Sequence, residues 1–136
     1  MPDSFDTRLQ AARDARRDGR LSDALLGYAG VADDARASGD LPSLVHALRH
    51  VSEIERKNGH PDRALTAGEE AVAACRTIAA PALDFANALR VAALALDASD
   101  RKSEAGPLWQ EARARYLQAG VSEGVDECDI HLRPVV

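Results

Sequence analysis

The chain repeats itself, and that self-similarity limits its possible folds more than any other feature. Gly19-Arg20-Leu21-Ser22-Asp23-Ala24-Leu25 aligns with Gly59-His60-Pro61-Asp62-Arg63-Ala64-Leu65, an internal repeat with a period of about 40 residues. A third copy follows once one residue is inserted: Asp100 stands in the place of the glycine, Ala105 in that of Ala24 and Ala64, and Trp109 in that of Tyr28. A unit of this size cannot bury its apolar side alone, so three of them imply a stacked array in which neighbours share one continuous core.

Within each unit the apolar residues recur at intervals of three and four, which is the period of a helix and not of a strand. Leu44, Val45, Leu48, Val51 and Ile54 form one stripe, and Leu65, Ala71, Val72 and Cys75 form the next. Asp40 before Leu41-Pro42 reads as a capped helix start, Pro61 and Pro81 open helices in the same way, and Asn58-Gly59 reads as a stop. The pattern predicts helices over 4–18, 22–38, 41–58, 61–78, 81–98, 103–119 and 122–132. Short turns make neighbours antiparallel. Hydrophobic residues make up 46% of the chain but aromatic ones only 4%, and an alanine-rich apolar share suits closely packed helices.

Charge and length exclude several classes. A formal charge of -5 argues against general nucleic-acid binding, which needs a basic surface. No apolar run approaches the roughly 20 residues of a membrane span, and Met1-Pro2-Asp3-Ser4 carries no signal-peptide core. Cys75 and Cys128 lie in no Cys-x-x-Cys pair, and the expectation is two buried free thiols in a cytoplasmic protein.

The second unit places Leu48, Val51, Ser52, Glu55, Gly59, Ala64, Gly68 and Ala71 at spacings that resemble the tetratricopeptide repeat. The first unit matches through Ala11, Ala12, Ala15, Gly19, Ala24, Tyr28 and Val31, and the third through Leu89, Ala92, Ala93, Leu96, Ala105, Trp109 and Ala112. The units depart from the family's usual form in exceeding its customary length of about 34 residues, in lacking an aromatic at the start of the first helix, and in Asp100; the length suits an extended-helix subgroup. The resemblance implies an all-α, right-handed superhelical array of antiparallel hairpins over residues 1–136. Its units would cover 4–39, 41–79 and 81–120, with a capping helix over 121–133. Small residues such as Ala12, Ser52 and Ala93 would let paired helices approach, while Tyr28 and Trp109 fill wider gaps.

The resemblance also implies that the first helix of each unit lines a concave surface that holds a partner. Its candidate groove residues are Arg13 and Arg17 with Arg16, then His46, Arg49, His50, Glu53 and Arg56 with Lys57, then Asn87 and Arg90 with Leu94 and Asp97. Bases outnumber acids there, so an acidic peptide or protein is the expected partner, with arginine supplying paired hydrogen bonds. The asparagines with which some family members hold a terminal carboxylate are missing from the first two units. His46, His50 and Glu53 share one helical face at a spacing that metal ligands use, yet no His-Glu-x-x-His sequence is present. Neither a phosphate-binding glycine loop nor a convincing nucleophile and base is evident, and no enzyme activity or cofactor is expected. Two alternatives to the adaptor stay open: a homodimer formed through the last helix, and metal binding through His46 and His50.

Overall fold

Six of the described residues adopt the left-handed backbone conformation, and they divide the chain almost evenly. They are Gly19 (φ 79°), Gly39 (76°), Gly59 (82°), Ala79 (47°), Asp100 (58°) and Gly120 (72°). In each case the next residue donates its N–H to the carbonyl five positions back: Arg20 to Ala15, Asp40 to Ala35, His60 to Glu55, Ala80 to Cys75, Arg101 to Leu96 and Val121 to Tyr116, at 2.8–3.0 Å. This bond pattern around a left-handed residue closes a helix by satisfying its last carbonyls. Glycine reaches that conformation without penalty and aspartate tolerates it, whereas Ala79 sits there against the steric preference of its Cβ.

The computed structural model describes residues 4–134, which form seven helices: α1 (Phe5–Arg17), α2 (Leu21–Ser38), α3 (Leu41–Lys57), α4 (Pro61–Ile78), α5 (Ala82–Ala98), α6 (Lys102–Ala119) and α7 (Ser122–Leu132). These bounds agree with the sequence expectation to within one residue. Pro81 is the N-cap of α5 and not its first helical residue. The α3 start is built as expected, with the Asp40 carboxylate accepting from the Ser43 N–H at 3.2 Å and from its hydroxyl at 2.7 Å. Among the described residues no helix is long and apolar enough to cross a membrane.

Each helix packs on the next along the chain, and α3 also packs directly on α5. Ion pairs link α2 to α4 through Arg36 and Glu70, and α4 to α6 through Arg76 and Glu111. The molecule is therefore an all-α array of antiparallel hairpins in two layers, odd-numbered helices in one and even-numbered helices in the other.

Small side chains set the spacing of the layers. A Cβ on Gly27 would lie 3.1 Å from the Ala12 Cβ, and one on Gly68 would lie 2.9 Å from the Ala92 Cα. The Ser52 hydroxyl, buried between α3 and α4, donates to the Ala64 carbonyl at 2.7 Å, so its polarity is satisfied where bulk would not fit. Tyr28, Phe85, Trp109 and Tyr116 are buried in the same core. At the last junction Gly124 faces the Tyr116 ring, which any side chain there would overlap, and Cys128 is buried with Val125 and Leu132 partly covered beside it. Cys75 and Cys128 are both buried and free. Burial pushes each thiol up to about 11, which leaves both unreactive near neutrality.

Candidate partner-binding surface

The odd-numbered helices bring the predicted residues onto one layer, but they pair many of them with each other. Arg16 on α1 donates to Glu53 on α3 at 2.8 Å. Glu53 also accepts from Arg90 on α5 at 3.0 Å. Arg90 then grips Glu127 on α7 through two bonds of 2.5 and 3.1 Å. The four side chains form a ladder of alternating sign in which consecutive rungs lie 37 positions apart in sequence. All four are largely buried, with side-chain exposures of 19–31%. Burial alone would raise the Glu53 pKa, but the hydrogen bonds and charges of Arg16 and Arg90 outweigh it and hold the carboxyl below its usual range.

Arg16 and Arg90 have their guanidiniums engaged by carboxylates. Glu127, on α7, completes the pairing of Arg90. Asn87 is likewise occupied, accepting the Tyr116 hydroxyl at 2.7 Å, and Asp97 accepts from Trp109 and faces His131, both at 3.1 Å. Arg17 stays exposed beside Asp14 and Asp18, at 3.4 Å from each.

His50 is held as a neutral ring. It stacks on Tyr28 at 4.4 Å between centroids and takes a hydrogen bond from Arg16 to its Nδ1 at 2.8 Å. A guanidinium can only donate, so Nδ1 accepts and the ring proton sits on Nε2. Burial first, then the charges of Arg49, His46 and Arg16, bring its pKa down to about 3. His46 lies 5.1 Å from His50 between centroids, and burial with Arg49 and Arg13 lowers its pKa as well. With His50 Nδ1 on Arg16 and Glu53 on two arginines, the His46, His50 and Glu53 set does not converge on a point. Among the described residues no three His, Cys, Asp or Glu side chains are placed to share a metal ion.

A smaller set of cations is left without an ion-pair partner among the described residues. Arg13, Arg49, Arg56 and Lys57 make no ion pair among the described residues; Arg13 donates to Gln10 at 2.9 Å. Arg13 and Arg49 both act electrostatically on the Tyr28 hydroxyl and on His46. The Tyr28 Oη and His46 Nε2 are buried without a hydrogen-bond partner among the described residues. Arg49 also lines a cavity of about 280 Å³ between α3 and the α4–α5 junction. No protein-family model matches the chain, and no curated protein matches it in sequence.

Proposed function

We propose that this chain is a tetratricopeptide-like interaction module whose odd-helix layer receives an acidic segment of a protein partner at Arg13 and Arg49. The observation that carries the reading is that these two guanidiniums, from adjacent odd helices, make no ion pair among the described residues, in a layer where Arg16 pairs with Glu53 and Arg90 with both Glu53 and Glu127. Unpaired arginines beside unsatisfied buried polar atoms favour an anionic ligand over further solvation. Their charges would also speed encounter with an acidic partner at low salt. The hairpin array and its small-residue contacts support the family assignment, and the buried free thiols suit a reducing, cytoplasmic setting.

The test is affinity capture from native extract on wild type and on the Arg13→Glu/Arg49→Glu variant side by side. A protein retained by wild type, released by moderate salt and lost on the reversal supports the reading. Equal retention by both, with unchanged melting temperatures, would overturn it.

A second reading, self-association through the C-terminal end, is favoured by the exposed Leu117 and Ile130 on α6 and α7. Sedimentation across a hundredfold range of concentration decides it, since a constant monomer mass removes it.

A further inference from the structure

The cavity beside Arg49 is built asymmetrically. Pro42, Val45, Ile78 and Pro81 supply apolar walls, Arg49 reaches it from α3, and Asp84 reaches it from the first turn of α5. Neither charged group takes part in an ion pair or a side-chain hydrogen bond among the described residues, although both line the same cavity. His46, the other polar side chain on the wall, has its pKa lowered by burial first and then by Arg49 and Arg13, against the opposing charge of Asp84. The cleft presents one positive and one negative group together with apolar walls.

We infer that the cleft reads a three-part element in the partner: an acidic side chain at Arg49, an apolar side chain in the cavity, and a basic side chain at Asp84. The inference rests on the interaction-module reading and adds its specificity. An all-acidic segment gains at Arg49 and is repelled at Asp84, while a segment bearing both signs gains at both. Discrimination of that kind comes as much from the repulsive contact as from the attractive one. The volume of about 280 Å³ falls just short of the roughly 300–1,000 Å³ of sites that enclose a whole small molecule. It suits part of a chain whose remainder lies along the helix layer.

The experiment is selection of a displayed library of random twelve-residue peptides on wild-type protein at low salt. The enriched peptides are then titrated against wild type, Arg49→Glu and Asp84→Arg. The enriched set is expected to carry an acid, a base and one large apolar residue. Asp84→Arg should weaken such a peptide by about tenfold, and changing the peptide's basic residue to glutamate should restore the binding. All variants should melt like wild type, since both positions lie outside the ladder. Enriched peptides that are purely acidic, and bind Asp84→Arg as tightly as wild type, would sink the three-part element and leave the interaction module standing. Enrichment of no peptide on wild type would remove both.

Discussion

The imidazole of His131 on α7 lies flat on the indole of Trp109 on α6, with 4.0 Å between centroids and 9° between planes. His50 stands in the same relation to Tyr28, and the two pairs have the same spacing along the chain. In both cases the aromatic residue of an even helix is capped by a histidine of the next odd helix. His131 also faces Asp97, the acceptor of the Trp109 N–H, so one carboxylate joins α5, α6 and α7. His131→Ala should lower stability by about 1 kcal/mol and speed amide exchange in Ser122–Leu132 while α3 and α4 keep their protection. Unchanged exchange in α7 would show that the stack does not anchor it.

Glu53 holds two half-buried arginines, and its loss leaves both without their shared counter-ion. Breaking a buried pair from one side costs roughly 3–5 kcal/mol, and the partial exposure of this ladder reduces the figure. Glu53→Gln should cost about 1–3 kcal/mol in denaturant titration. Arg90→Glu should also destabilise, by placing a third carboxylate between Glu53 and Glu127. A variant at either position as stable as wild type would refute the ladder.

His50 sets a pH dependence. Its folded pKa of about 3 lies below the ordinary 6.5, so between these values the unfolded chain binds the extra proton. Stability is then complete above pH 6.5 and falls with acidity, by up to about 1.4 kcal/mol per pH unit per group. His46 acts with the same sign. The depressed Glu53 carboxyl contributes in the same direction, but only below its ordinary value of 4.5. Melts between pH 6.5 and 4.5 therefore isolate the histidines. His50→Gln should flatten the curve there, and equal slopes for both proteins would show that the ring is not buried neutral.

The left-handed turns offer a stability gain. Ala79 holds φ 47° and ψ 57° where four of the other five turns use glycine. Ala79→Gly should raise stability by about 1 kcal/mol, and Gly59→Ala should lower it by a similar amount. Thermal melts that move in opposite directions would confirm the assignment of the turns.

Gly68 occupies the position that Tyr28 and Trp109 hold in the other units. Its missing side chain lets α4 rest on the Ala92 backbone of α5. Alanine is normally preferred over glycine inside a helix by about 1 kcal/mol, yet Gly68→Ala should destabilise by about 1–3 kcal/mol because the clash is with backbone. A gain in stability for Gly68→Ala would contradict the close approach.

The helices and half of their turns were legible because local chemistry fixes them. Asp40 and Pro42 mark a start, and Gly19, Gly59 and Asp100 mark stops wherever they occur. The turns at Gly39, Ala79 and Gly120 were harder to align, since Ala79 hides the series. The odd-helix layer was the least legible part. Counting bases on odd helices makes that face look strongly positive, but charge on a surface depends on who stands opposite. The sequence repeat and the ladder do not share a spacing: Gly19 recurs as Gly59, whereas ladder partners lie only 37 positions apart. The difference is close to one helical turn. The alternation of Arg16, Glu53, Arg90 and Glu127 at that second spacing was the available signal.

Alternating signs give the array a parity. Each inner rung faces two of the opposite charge, so the order of units matters as well as their number. Removing α3 and α4 together would keep every hairpin intact, yet it would set Arg16 against Arg90. Removing or inserting two units would preserve the alternation. A protein that grows by duplicating hairpins is usually free to change length one unit at a time, but this one changes length compatibly only in steps of two.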